Sequence, residues 1–190
     1  VAGILDFAEG SIEIDGVSLK ENPVKCKAMT AYIPDNPDLY DYLSGIQYLN
    51  FIGDIFRVPK EIREERISKY ADLLDITIKL GDPVSSYSHG MKQKLSFIAA
   101  FIHDPKLLIL DEPFVGLDPK AAHIIKGLMQ EACANGAAVF FSTHVLDVAE
   151  KICNKIAIIK DGRLIADGET AQVKGDQSLE DVFLELIEHE

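Results

Sequence analysis

No stretch of the 190-residue chain approaches the run of roughly 20 apolar residues that a membrane helix needs. Apolar runs such as those at 107–110 and 137–141 have the length of strands. No basic and apolar leader segment opens the chain, and the expectation is a cytoplasmic location. Cations are scarce: 19 Lys and Arg stand against 31 Asp and Glu, for a net charge of −12. A nucleic-acid-binding surface needs concentrated Lys and Arg, so the charge argues against that class. It leaves open a phosphate site built locally from backbone N–H groups and one or two cations. The three cysteines, Cys26, Cys133 and Cys153, are odd in number and lack C-x-x-C spacing, so they read as reduced packing residues. Repeats and low-complexity runs are absent as well. With 47% hydrophobic and 26% charged residues, what remains is an ordinary globular composition.

The chain begins abruptly. Residues 1–5 look like the last turn of a helix without a cap before it. Strands are expected at 11–14, closed by the turn pair Asp15-Gly16, and at Thr30–Ile33, stopped by Pro34. From Ser44 to Phe101 the pattern is helical. Ile46, Leu49, Ile52, Ile55 and Phe56 keep helical spacing, as do Ile62, Ile67, Tyr70, Leu73 and Leu74. A third helix starts near Ser88 and carries Leu95, Ile98, Ala99 and Ile102, after a break at Gly81-Asp82-Pro83. Then strands and helices alternate. An apolar strand at 107–110 precedes a helix at 119–134, for which Asp118 is the cap and Pro119 the first residue. A second buried strand at 138–142 leads to a short helix from Val145. Strands at 156–159 and 164–166 flank Asp161-Gly162, a hairpin turn pair. Apolar strands alternating with helices imply an α/β fold with a parallel sheet covered on both faces. In such sheets ligands sit outside the carboxyl ends of the strands, and the polar residues cluster there.

Four elements carry chemistry. The strand at 107–110 ends in Asp111-Glu112-Pro113. Asp111 is placed to hold Mg²⁺, which takes one or two carboxylates plus phosphate oxygens. Glu112 can orient or deprotonate an attacking water. A strand followed by a solvated acidic turn would read the same way. His144, in Ser142-Thr143-His144, can hydrogen-bond a γ-phosphate and hold the water-activating carboxylate; a capped helix beside a surface His is the plainer alternative. Ser88 and Gly90, in Tyr87-Ser88-His89-Gly90-Met91, open a helix whose free N–H groups suit a phosphate, or are simply an ordinary capped start. Gly116-Leu117-Asp118 taken alone is helix-start grammar.

In this order and spacing, the elements resemble the ATP-binding cassette (ABC) ATPases over essentially the whole chain. Residues 107–113 are similar to the Walker B strand with its catalytic Glu, and 87–91 to the signature motif, usually Leu-Ser-Gly-Gly-Gln. Gly116-Leu117-Asp118 resembles the D-loop, His144 the switch histidine, and Tyr32-Ile33-Pro34-Asp35 the strand end that normally bears a Gln. The resemblance implies a P-loop NTPase-like core with a helical subdomain, and ATP with Mg²⁺ as cofactors. It also implies Asp111 and Asp35 toward the metal, Glu112 and His144 in catalysis, and Ser88, Gly90 and Asp118 toward nucleotide. The expected organisation is residual core at 1–35, helical subdomain at 36–103, core at 104–170 and helical tail at 171–190. The signature departs from the pattern at Tyr87, His89 and Met91 but keeps Ser88 and Gly90, whose hydroxyl and backbone would meet a γ-phosphate. Asp35 replaces the usual Gln; its carboxylate can still touch Mg²⁺ or its water.

The family's phosphate-cradling loop, G-x-x-x-x-G-K-[ST], is missing: none of the 13 glycines is followed by Lys. The resemblance places that loop and the first two strands upstream of Val1, so the chain reads as a fragment. It should also expose an apolar sheet edge where the missing strand would pair.

The best-matching role is the ATPase subunit of a membrane transporter, docked on a separate permease and dimerised head to tail with a second ATPase subunit. The helix-forming tail from Ser178 to Leu186 resembles that of bacterial export-type subunits. The segment with Pro37, Tyr40, Tyr42 and Leu43 is the expected permease-docking face. The alternatives are a soluble cassette protein of translation or DNA repair, and a non-hydrolysing regulatory remnant. A long coiled coil between Asp35 and Ser88, a zinc module and a basic linker, features of the soluble relatives, are all absent from the sequence. Titration calorimetry of the 190-residue chain with Mg-ATP is expected to show weak binding; micromolar affinity with measurable hydrolysis would contradict this reading.

Overall fold

The computed structural model describes residues 2–3, 5 and 7–188. It divides into two compact units, Val1–Ser142 and Thr143–Glu190. Of the helical turn expected at 1–5, Val1 and Ile4 lie outside the described residues. Ala2, Gly3 and Leu5 are not helical, and Gly3 has φ +70°, which a right-handed helix does not admit.

In the first unit, β1 (Glu13–Ile14) and β2 (Val17–Ser18) form a small antiparallel hairpin. Asp15 and Gly16, at φ +50° and +71°, make the expected two-residue turn. Helix α1 (Pro23–Ala28) starts with proline and leads into β3 (Thr30–Ile33). Then come α2 (Gly45–Ile55), α3 (Lys60–Leu73) and α4 (His89–Ile102). They are followed by β4 (Leu107–Asp111), α5 (Pro119–Ala134) and β5 (Ala138–Ser142). Strands β3, β4 and β5 pair in that order, all parallel, with Ile33 opposite Leu110 and Asp111 opposite Ser142. The register brings the carboxyl ends of the three strands to one edge, as the sequence pattern requires.

Local chemistry explains the boundaries. Ser44 and Gln47 form a reciprocal capping box on α2. Ser88 caps α4, its hydroxyl accepting from the Met91 amide at 3.3 Å. Asp118 caps α5, its Oδ1 accepting from the Ala121 amide at 2.8 Å. The second half of α4 is buried on all sides: Leu95, Phe97, Ile98 and Ile102 are fully buried, as befits a helix enclosed by its neighbours α2, α3 and β3. Each such side chain contributes about 1.5–3 kcal/mol by leaving water. Helix α3 is different. It buries Ile67, Ala71 and, at its cap, Leu74, while Ile62 and Leu73 stay exposed, because it packs along a narrow stripe. Gly53 of α2 leaves room for Arg63 of α3; a Cβ there would lie 2.5 Å from the Arg63 Nε. That guanidinium bonds Asp54 at 2.6 Å and the Val58 carbonyl at 3.1 Å, tying the two helices.

Strand β5 departs from expectation. It is not buried: Phe140 is 60% exposed, and the strand alternates between exposed and half-buried positions. In the first unit β5 pairs with β4 on one side, so its other edge and one face lack the cover a central parallel strand receives. Among the described residues, β5 is thus an edge strand of the three-stranded sheet with an exposed apolar side chain.

The second unit contains α6 (Leu146–Ile152), β6 (Lys155–Lys160), β7 (Arg163–Glu169), α7 (Thr170–Lys174) and α8 (Leu179–Glu188). Strands β6 and β7 are antiparallel around Asp161-Gly162, the predicted hairpin. Glu150 ties α6 to the tail: it accepts from the Leu179 amide at 2.9 Å and from Lys174 at 2.8 Å, and these bonds hold its carboxyl below the ordinary range. Ser178 caps α8 through the Asp181 amide at 3.1 Å. No helix among the described residues is long and apolar enough to cross a membrane.

One half-buried group makes stability depend on pH. His103, just past α4, stacks on Phe56 with ring centroids 3.6 Å apart. Neither ring nitrogen makes a well-formed hydrogen bond. Burial lowers its pKa below the ordinary 6.5, and the neighbouring Thr30 and Ala99 carbonyls offset only part of this. The folded chain thus binds this proton less readily than the unfolded chain. Its stabilising effect is present above pH 6.5 and is lost as pH falls through the lowered native value. Urea unfolding across this range should show a flatter pH dependence for His103→Leu than for the parent; an unchanged slope would remove His103 as the cause.

Candidate functional site

The site is built at the carboxyl edge of the parallel sheet. Asp111 is the last residue of β4, half-buried, and its Oδ1 accepts a hydrogen bond from the Ser142 hydroxyl. Glu112 follows with φ +44°, a left-handed conformation that a non-glycine residue adopts only under constraint, at about 1–3 kcal/mol. The constraint is visible. The Glu112 amide donates to the Ser142 carbonyl at 3.2 Å, and its own carbonyl accepts from Val115 at 3.2 Å. Buried Pro113 then fixes the chain direction. The result turns Glu112 out of the strand line beside Asp111. Asp35 lies two residues beyond β3, exposed, at the same sheet edge by strand register.

A second constellation joins the start of α4 to the loop before α5. A Cβ on Gly90 would lie 2.5 Å from the Gly116 carbonyl oxygen, and a Cβ on Gly116 would lie 2.3 Å from the His89 ring. Gly116 also has φ +77°. Gly90 has to lack a side chain because the Gly116 backbone approaches it, and Gly116 suits glycine through its positive φ and the His89 ring packed against it. Lys94 bonds Asp118 at 2.9 Å. The Ala121 amide and Lys94 hold the Asp118 carboxyl below its usual range. Gln93 is fully buried and donates from Nε2 to the Pro113 carbonyl at 3.3 Å.

So the first unit gathers Asp35, Asp111 and Glu112 along one sheet edge, and brings Ser88, Gly90 and Asp118 into one contact region. His144 belongs to the second unit, where it is exposed, in the turn where Thr143 Oγ1 accepts from the Val145 amide at 3.1 Å. Gln93 and Lys94 carry no role in the sequence reading. The signal was present, since Gln93 shares its helix stripe with Phe97, Ala100 and Phe101, an apolar face on which a lone amide is out of place. Among the described residues no three His, Cys, Asp or Glu side chains cluster as a ready-made metal cage. Hard carboxylate oxygens at Asp111 and Asp35 fit Mg²⁺, which completes its shell with water and phosphate.

Residues 29–146 match the family model described as "AAA domain, putative AbiEii toxin, Type IV TA system". The whole chain is 33% identical to the ABC-type transporter ATP-binding protein EcsA of Bacillus subtilis and covers 79% of it. It spans about half the length of several other curated relatives, 46% to 53%. A solved structure titled "Structure of ATP binding subunit of ABC transporter" superposes with a TM-score of 0.93 at 32% identity, covering 98% of this chain and 80% of that one. The cbiO1 protein of Clostridium perfringens, part of the ABC transporter complex cbiONQ, gives 0.76 at 25% identity, covering 99% and 77%. With the parallel α/β sheet and the carboxylate-tipped central strand in place, this identity over the full chain shows that the protein belongs to the family of ABC transporter ATP-binding proteins.

Proposed function

We propose that this chain supplies the metal-holding, water-orienting and signature elements of ATP hydrolysis in an ABC transporter, working with a separate permease. The observation that carries the reading is Asp111-Glu112 at the tip of β4, with the Glu112 backbone held at φ +44° beside a half-buried Asp111. Asp111, with Asp35 across the sheet edge, holds Mg²⁺ through its water shell. Glu112 orients or deprotonates the attacking water. His144 contacts the γ-phosphate. Ser88 and Gly90 act in trans on the nucleotide of a second ATPase subunit arranged head to tail, with Asp118 fixing the adjoining loop. Closure on ATP and opening after hydrolysis drive the permease.

The permease docks on the helical segment after Asp35. Tyr40, Tyr42 and Phe51 are exposed there and form one aromatic cluster, with ring centroids 5.8 Å and 5.4 Å from Tyr40. Tyr48 backs the cluster, its hydroxyl pushed up to about 12 by burial and by Tyr40. Beside it a cavity of about 250 Å³ opens between β3, α2 and α4, lined by Tyr32, Pro34, Pro37, Leu39, Tyr48 and Phe56. A groove rimmed with aromatics suits the apolar face of a short helix.

Two experiments test these assignments. Mixed with an intact cassette of the same family, the chain should change the cassette's ATPase rate by completing its site in trans. Ser88→Ala should weaken that effect about tenfold or more, the scale of losing one donor to a developing charge. No change on mixing would count against the trans role. Immobilised chain should capture a polytopic membrane protein from its source membranes, and Tyr40→Ala with Tyr42→Ala should reduce capture. Association with ribosomes or DNA instead would overturn the transporter reading.

A further inference from the structure

The first two turns of α4 lie between the docking segment and the loop that carries Glu112, and their side chains reach both. On one side, Lys92 Nζ is 2.7 Å from Asp41 Oδ1, in the loop of Tyr40 and Tyr42. The Lys92 side chain is 24% exposed and that of Asp41 57%, so the pair is sheltered from solvent only at its lysine end. The Ser85 and Val84 amides donate to the Asp41 and Leu43 carbonyls at 3.1 and 2.9 Å. Tyr87, immediately before the capping Ser88, donates its hydroxyl to the Lys79 carbonyl at 2.5 Å. That hydroxyl fills the space a side chain at Gly45 would need, since a Cβ there would lie 2.3 Å from it. The docking loop, the start of α2 and the start of α4 are thus fastened together.

On the other side, successive residues turn by about 100° on a helix. Gln93 therefore leaves the Lys92 face and enters the core, where Nε2 donates to the Pro113 carbonyl at 3.3 Å. Lys94 continues to Asp118 at 2.9 Å. Gln93 Oε1 is buried without a hydrogen-bond partner. An unpaired buried acceptor is unfavourable, and an apolar residue of similar shape would avoid it. What the amide gives in return is the placement of the Pro113 carbonyl, one residue after the strained Glu112.

We propose that Lys92 paired with Asp41, and Gln93 bonded to Pro113, are positioning residues that make the start of α4 a rigid bridge between the loop at 40–43 and the backbone of Glu112. A partner seated on that loop thereby biases the geometry of the hydrolytic carboxylate. This last step rests on the docking reading of the proposed function; the bridge itself does not. Both loops lie in the same compact unit, and the connection is a continuous chain of hydrogen bonds, one ion pair and a helix.

Amide hydrogen exchange on the full 190-residue chain tests the bridge. Asp41→Asn should speed exchange about threefold at Met91 and Lys92 and also at Leu117 and Ala121, the scale expected for losing a partly exposed ion pair. Exchange within α3 and the β6–β7 hairpin should not change. The reversed pair, Asp41→Lys with Lys92→Asp, should restore the parent pattern, a rescue that a merely structural loss would not give. Gln93→Leu should speed exchange at Val115, Leu117 and Ala121 with the rest of the chain unaffected. Acceleration confined to residues 40–45 in Asp41→Asn, uniform acceleration, or failure of the reversed pair to rescue would each overturn the proposal. Membrane-protein capture reports separately on the docking reading: exchange coupling without capture leaves the bridge and removes the partner, whereas capture without coupling does the opposite.

Discussion

The approach of Gly90 to Gly116 is the contact on which the rest of the first unit's polar edge depends. No side chain fits at either position, since a Cβ would meet backbone at 2.5 Å or the His89 ring at 2.3 Å. The Gly116 carbonyl can come this close only because residue 90 has no side chain. Because it does, the capped start of α4 sits directly against the loop that follows Glu112. The bonds from Gln93 to Pro113 and from Lys94 to Asp118 then become possible. Each reinforces the others, since every bond fixes a backbone that another already restrains.

The sheet edge obeys a different constraint. Parallel strands deliver their carboxyl ends together, and the register of β3, β4 and β5 leaves Asp35, Asp111 and Ser142 along that edge. A chain carrying net charge −12 cannot gather carboxylates without cost unless hydrogen bonds or cations offset it. The Ser142 hydroxyl serves Asp111, and Lys94 together with the Ala121 amide serves Asp118. In the proposed chemistry, the cation that balances Asp111 and Asp35 is Mg²⁺.

The helical segment contributes a half-buried His103, whose pKa burial lowers, and an aromatic surface next to it. These features share α2 and α4, and α4 also carries the proposed bridge from the loop at 40–43 to the backbone of Glu112. Helix α4 is therefore core, cap and connector at once. Its inner face is apolar, its first turn is capped by Ser88, and Lys92, Gln93 and Lys94 point in successive directions around it.

Local rules were sufficient for much of this. Asp15-Gly16 and Asp161-Gly162 forced hairpin turns, Pro34 stopped β3, and Ser88 and Asp118 began their helices, because each effect lies in one or a few neighbouring residues. The order of motifs likewise made the family legible. Exposure was not legible in the same way: Phe140 has the sequence of a buried strand and the position of an edge. The sequence by itself determined where most elements start and stop, since turns and caps follow from backbone sterics and short-range hydrogen bonding. Only the tertiary structure decided that Lys92 faces Asp41 across 51 positions of sequence and that Gln93 holds Pro113. It alone also decided that Gly90 rests on Gly116. Contacts between distant segments depend on how helices and sheet pack together, and no local pattern encodes that distance.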